Sequence, residues 1–587
     1  MRLDEWFLTP AERANPATRL DSRHPDGLAW SVGNDVHPLV HGATYFAELL
    51  ARVRAMGAGD LLLFTDWRGD PDERLDGPDT AVASVFCAAA SRGVVVRGLL
   101  WRSHLDRFQF SEQENRSLGD DIEAAGGCCL LDMRVRPGGS HHMKIVVLRH
   151  PSRPERDVAF VGGIDLCHSR RDDSAHEGDP QRQPMAAIYS SRPPWHDLQA
   201  LIRGPAVGDV ETIFRERWED PAPLTRNPVH RLRDLATGED HRPKPLPPQL
   251  PDPQPCGTHA VQILRTYPYR RSGYSFAPDG ERSIARAYLK VLPRARSLIY
   301  LEDQYLWSTE VVSVLADALR ANPGLHLIVV IPRFPDQDGK VSTPPNLVAR
   351  ADALALLDAA GGRRVAVYGL ENSAGTPIYV HAKVCIVDDT WAIIGSDNFN
   401  RRSWTHDSEA SCAIIDESGL FASRLRLALG TEHLGGEHLG GEHLGGGTTG
   451  MDESTVSADG AAAAGTGGAA GTAGGETAGG PVGTASTVGT AGAPGIAAII
   501  DPADAASGDA IEAAASFAGM FEAFGRAADA LDAWHAGGRK GPRPAGQLRR
   551  YPHLQIPAAT RAWASVLYRL VYDPDGRPAA MRRANRF

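Results

Sequence analysis

Two short patterns in this 587-residue chain could do chemistry: His142-Met143-Lys144 and His381-Ala382-Lys383. With 21 His and only six Lys in the chain, chance would supply about 0.2 such pairs. Imidazole acts as nucleophile, base or acid near neutral pH, and an ammonium beside it suits an anion. Residues two apart on a strand face the same way, so each His and its Lys are predicted to point into one site. Keeping a compact ammonium at both places, in a chain with 56 Arg, points to a role that a planar guanidinium cannot fill.

Both pairs lie in apolar runs predicted to be buried strands, 141–148 (HHMKIVVL) and 378–388 (IYVHAKVCIVD). Around the first, strands are predicted at 60–67, 93–101, 128–135, 158–166 and 197–203, with helices near 43–57 and 79–91. Pro205 opens a further helix whose Val207, Val210, Phe214 and Trp218 form one stripe. Around the second, strands are predicted at 261–266, 298–304, 326–332, 364–369, 391–396 and 410–415, with helices near 281–292, 310–320, 346–360 and 418–430. Each block ends alike, with a His-x-Lys strand, a strand closed by a small-residue turn, and a helix. Alternating strands and helices make an α/β architecture, and duplication brings equivalent positions together across a pseudo-twofold axis, where the site is expected.

Prolines mark 221–258 as a linker (RPKPLPPQLPDPQPC). From 431 to 500, EHLGG occurs three times and Gly, Ala, Thr and Ser follow with little to bury, so disorder is predicted there. The repeated histidines are read as repeat expansion rather than a metal site. Residues 501–587 regain helix-like sequence, and 537–587 hold eleven Arg or Lys against Asp573 and Asp575. This basic extension is expected to dock on an acidic body, the alternative being a surface for anionic headgroups.

A net charge of −10 argues against general nucleic-acid binding. Seven cysteines without a CxxC pair fit a reducing compartment. The start lacks an apolar leader and no run reaches about 18 apolar residues, so a cytoplasmic monomer, peripheral to a membrane at most, is expected.

The second copy continues through Asp388, Gly395, Ser396 and Asn398, giving HxK-x4-D-x6-GSxN, with Glu409 beyond in THDSE. This resembles the HKD signature of the phospholipase D superfamily. In the first copy Gly162 and Gly163 fall in place and Asp165 stands where the second has Asn398, but Arg149 occupies the Asp position before an insertion, HPSRPER. WHDLQALIRGPAVGDVETIFRERW, QILRTYP and YLEDQYL extend the resemblance over roughly residues 30–430.

The resemblance implies an α/β fold of two duplicated α/β/α sandwich lobes with mixed central sheets, 1–220 and 259–430, plus the disordered insert and the C-terminal extension. It implies His142 as nucleophile, forming a phosphohistidine, and His381 as general acid, later the base that activates water or a primary alcohol. Lys144, Lys383, Ser396 and Asn398 would stabilise the equatorial oxygens, with no metal or other cofactor required. Gly163, Asp165 and Gly395, at the turns, are expected to border the substrate. Each imidazole needs a partner on its second nitrogen, and Glu409 and Asp172, one after each glycine turn, are the candidates. Asp388 belongs to the motif yet sits at a strand-to-turn junction where a structural role is expected, which makes Arg149 tolerable. His196-Asp197 either supports the site or packs locally. Arg270 and Arg271, in the aromatic segment from Tyr267 to Phe276, could grip a headgroup phosphate or rest at a membrane interface, unless that segment simply packs on its neighbours.

The implied activity is hydrolysis or transphosphatidylation of a phospholipid such as phosphatidylcholine at a membrane surface. A superfamily nuclease is disfavoured by the acidic body, and a cardiolipin synthase-like transferase by the lack of membrane segments. A catalytically impaired binding protein is prompted by Arg149.

Overall fold

The computed structural model describes residues 1–103, 112–237, 243–416, 418–436 and 514–587. The first lobe contains strands β1 (Ser31–Val40), β2 (Leu61–Asp66), β3 (Val95–Trp101), β4 (Cys128–Asp132), β5 (Ile145–Arg149), β6 (Val158–Gly162), β7 (Trp195–His196) and β8 (Leu198–Arg203). The second contains β9 (His259–Tyr267), β10 (Glu281–Arg282), β11 (Leu298–Glu302), β12 (His326–Val330), β13 (Val365–Glu371), β14 (Pro377–Val380), β15 (Val384–Val387), β16 (Trp391–Gly395) and β17 (Glu409–Asp416), and the C-terminal extension adds β18 (Leu548–Arg550). One sheet runs β4-β3-β2-β5-β6-β8-β1, parallel from β4 to β2 and antiparallel thereafter. The other runs β13-β12-β11-β15-β16-β17-β9 with the same senses. β1 also pairs with β9, joining the two sheets.

Period-two alternation decides which face of each strand meets which core. Ile145 and Val147 of β5 enter a core shared by both lobes, while Val146 and Leu148 pack under the first lobe's outer helices. Val384 and Ile386 of β15 enter the shared core, and Cys385 and Val387 the second lobe's own. Burying each such side chain contributes about 1.5–3 kcal/mol, so the shared core, rather than any surface pairing, holds the lobes in register. Helix Ala206–Trp218 is buried along its whole length and joins that core through Val207, Val210, Phe214 and Trp218. The extension completes it: Met520 and Phe524 of helix Phe517–Ala536 enter the core, and β18 covers the edge of β13.

Four features differ from the sequence-based expectation. Helix Glu112–Ala124 was not foreseen, because it buries only a narrow stripe around Asn115, Leu118 and Ile122. Helix Pro228–Thr237 interrupts the proline-rich linker. Helix Leu420–His433 runs into the first EHLGG copy and buries its Glu432 and His433; the later copies, and most of the segment expected to be disordered, lie outside the described residues. Lastly, the His-x-Lys segments precede β5 and β15 instead of lying within them. Their main chain is drawn across to the opposite lobe: His142 N–H donates to Ser408 O at 2.9 Å and His381 N–H to His196 O at 2.7 Å.

The motif position seven residues after each histidine stabilises the lobe and is no part of the reacting site, so Asp388 leaves the catalytic set. Its carboxylate accepts from the N–H groups of Arg296, Ser297 and Leu298 at 2.6–2.8 Å, tying the start of β11 to the end of β15. At the equivalent place Arg149, buried, pairs with Asp157 at 2.8 Å and with Glu211. Opposite charges thus serve one structural purpose.

Candidate active site

Each of the two imidazoles, His142 and His381, is held by a carboxylate from the other lobe. Glu409, first residue of β17, meets His142 Nδ1 at 2.8 Å, and Asp197, immediately before β8, meets His381 Nδ1 at 2.6 Å. Both rings therefore keep Nε2 for chemistry. Asp197 and Glu409 open equivalent strands of the two sheets, so the pairings exchange under the pseudo-twofold.

This arrangement replaces Asp172 by Asp197. Asp172 accepts from Trp195 N at 2.7 Å and Gly178 N at 2.9 Å, so it shapes the loop ahead of β7. The long connection between Gly163 and β8 displaces the equivalent carboxylate far from its turn. Counting back from the apolar strand run would have found it, since an acidic residue precedes both LQALIR and ASCAII.

The ammonium groups lie beside the rings. Lys144 Nζ donates to His142 O at 2.9 Å and is 3.3 Å from Asp165; Lys383 donates to His381 O and faces Gln304 Oε1 at 3.4 Å. Asp165 is itself paired with buried Asp66, which was not foreseen: burial and the Asp165 charge hold the Asp66 carboxyl well above its usual range, while Asp165 is held low by Lys144 and Arg170 against its own burial. Asp66 therefore carries the shared proton and Asp165 the charge. Ser396 donates to Glu409 at 2.6 Å, and Asn398, buried, has an Oδ1 without a hydrogen-bond partner. Trp67 lies 6.2 Å from the His142 ring, and Trp195, under Arg170, lies tilted against His381 with ring centroids 4.9 Å apart.

Glycine is required at Gly163, because a Cβ there would collide with the Asp197 carboxylate, and at Gly395, where it would collide with Ser411. Gly163 thus neighbours the Asp197 carboxylate that holds His381, while Gly395 packs on Ser411 of β17. Gly163→Ala is expected to displace Asp197 and cut kcat about tenfold to hundredfold, since small misplacements of a positioned group carry costs of that order. Steady-state rates beside a melting curve would separate this from unfolding.

Electrostatics distinguishes the two halves. Burial, and then the charges of both lysines, push both imidazoles well below their ordinary value, so both are neutral before an anion enters. Burial beside Asp407 holds the Glu409 carboxyl well above its usual range. Burial raises Asp197 only to about 6, because Lys383 and Arg170 oppose it. At neutral pH Asp197 is charged, so His381 is the ring better able to accept and hold a proton. Burial lowers Lys383 to about 8. The kcat/KM profile is expected to fall on the acid side near pH 6, as Asp197 loses its charge, and on the alkaline side near pH 8, as Lys383 loses its own. A pH series on a soluble diester measures both limbs.

Behind His381 lies a buried network. Glu432 meets His41 Nε2 at 3.0 Å and His176 Nε2 at 2.9 Å, and Glu302 meets His196 at 2.7 Å and His433 at 2.9 Å. The donor atoms of His41, His176, His196 and Glu432 lie within 4.8 Å of one another, a set of ligand types that could hold a divalent cation. Arg270 and Arg271 stand apart from this machinery, lining a separate cavity with Tyr269.

Two lobes, each presenting His and Lys to the other's carboxylate, define an enzyme site of duplicated origin, and the chain belongs to the phospholipase D superfamily. A phospholipase D family model matches residues 129–317, and a model described as cardiolipin synthase, phospholipase D-like domain, matches 288–426. The chain is similar to phospholipase D alpha 1 of Cynara cardunculus, 27% identical over 62% of this chain and 60% of the relative. It is also similar to phospholipase D alpha 1 of Oryza sativa subsp. japonica, 26% identical over 62% of this chain and 59% of the relative. The chain thus spans about three-fifths of the length of the curated relatives it matches. A solved phosphatidylserine synthase from Haemophilus influenzae aligns over 66% of this chain and 84% of its own, with 11% identity and a TM-score of 0.44, too low to bear on function. Among the described residues no helix is long and apolar enough to cross a membrane.

Proposed function

We propose that the protein is a phosphodiesterase of phospholipase D type, cleaving a phospholipid headgroup or exchanging it for another alcohol through a phosphohistidine. The observation that carries this reading is the crossed pairing of His142 with Glu409 and His381 with Asp197. The entering diester anion offsets the charges of Lys144 and Lys383, so His381, beside Asp197, takes up a proton from solvent; His142 Nε2 then attacks phosphorus while His381 gives that proton to the departing alcohol oxygen, and His381 next takes a proton from water or a primary alcohol, which attacks the phosphorus and frees His142. Lys144, Lys383 and Asn398 stabilise the equatorial oxygens, with Ser396 acting through Glu409. The substrate is a membrane phospholipid such as phosphatidylcholine, met by a monomeric cytoplasmic protein at the membrane surface.

Incubation with phosphatidylcholine micelles tests this. Choline release, and a phosphatidyl-alcohol product on adding a primary alcohol, support it, because a covalent intermediate partitions between acceptors. Cleavage of DNA without any phospholipid turnover would keep the mechanism and replace the substrate. Inertness toward both would overturn the reading.

A further inference from the structure

A cavity of about 760 Å³ opens where the two lobes meet the C-terminal extension. Arg136 of the first lobe, Arg226 of the linker, Arg270 and Arg271 of the second lobe, and Arg582 of the extension all line it. Among the described residues none of the five takes part in an ion pair with a carboxylate, whereas Arg549, Arg550, Arg561 and Arg577 of the same extension each do. The one carboxylate in the lining, Asp575, is held by Arg577 at 2.8 Å. In a chain of net charge −10, five guanidinium groups outside any ion pair among the described residues gather around one cavity.

Two of the cations are also positioned, while Arg226, Arg271 and Arg582 stand exposed at the cavity. Arg136 donates to Tyr269 O at 2.9 Å and Gly576 O at 3.1 Å, and Arg270 lies 4.7 Å over the Tyr274 ring with one nitrogen buried and without a hydrogen-bond partner. Burial, and then the charge of Arg582, lower Arg136, so these groups repel one another as the structure stands. The wall is continuous with the catalytic segment: Gly576 N donates to Thr405 Oγ1 at 2.9 Å, and Asp407, two residues on, accepts from Ser140 N at 2.7 Å just before His142.

We propose that this basin is a second anion site, binding a phosphate-bearing group distinct from the diester at the histidines. Guanidinium forks match phosphate oxygens bidentately, and several can share one dianion, which a phosphomonoester supplies and a diester does not. The source is either the phosphomonoester headgroup of a membrane lipid or free phosphate.

The test uses the full chain carrying His142→Asn, so that lipid is not turned over and the readout stands apart from the activity reading. Binding is measured to phosphatidylcholine vesicles with and without phosphatidic acid, and separately to inorganic phosphate. Arg270→Ala with Arg582→Ala is expected to weaken binding about tenfold or more in at least one arm, at unchanged melting temperature. Loss confined to vesicles assigns the site to a lipid headgroup, and loss confined to inorganic phosphate assigns it to the free anion. Arg583→Ala, outside the cavity lining, should bind as the parent does. Equal binding by parent and double variant in both arms, or an equal loss in Arg583→Ala, would overturn the proposal.

Discussion

His142→Asn is expected to lower headgroup release by about 10⁴–10⁶-fold while leaving the fold intact, because losing a nucleophile that acts as part of a unit forfeits nearly the whole catalytic effect. The ring is 15% exposed, enough to meet a phosphate, and its Nδ1 is held by Glu409. Asparagine can keep a polar contact to Glu409 but offers no nitrogen able to form the phosphoryl bond. Turnover assays, run beside a melting curve, check the result, and a loss under about tenfold would remove His142 from the nucleophile's role.

Asp197→Asn should cost about 10³–10⁴-fold in kcat, with KM changed little. The substitution keeps size and shape in a wholly buried place but presents an amide to His381 Nδ1, favouring the wrong tautomer and removing the charge that supports the imidazolium. His381 is already pushed down by burial, Lys383 and Arg170, so it depends on that charge. Burial pushes the Glu409 carboxyl upward, which favours its uncharged form, and Glu409→Gln is expected to cost less than Asp197→Asn. The reverse ranking would exchange the roles of the two histidines. The acid limb near pH 6 should also vanish in Asp197→Asn, a change that simple loss of packing would not produce.

Much of this was legible in the sequence because duplication writes the same order twice. The runs that became β5, β6 and β8 and their partners β15, β16 and β17 are mostly apolar and buried on both faces, and such strands leave little ambiguity. His142, Lys144, His381 and Lys383 stood out through a residue type rare in this chain. The partners were harder to read, because spacing along the chain says nothing about which lobe supplies a carboxylate. Asp172 looked equivalent to Glu409 when measured from the glycine turn, but the loop ahead of β7 breaks that measure, and only position relative to the strand survives the insertion. Asp66 and Gln304 were hidden for the same reason: each touches the site from a neighbouring strand end. The first EHLGG copy misled through its resemblance to the repeats after it, although Glu432 and His433 close the helix that follows β17 and reach His41, His176 and Glu302 across the lobe interface. Arg270 and Arg271 stood out in the sequence as cations near aromatics, yet their company became visible only once Arg136, Arg226 and Arg582 were brought beside them by the fold.

The central claim is that two histidines from duplicated lobes divide the work of one phosphoryl transfer. Rapid acid-free quenching of the enzyme with a phosphate-labelled phospholipid, followed by peptide mapping, tests it most directly. Label on the peptide containing His142, attached through Nε2 and discharged by water or added alcohol, is the expected result. Label on His381 instead, or steady turnover with no labelled histidine at any time, would contradict it.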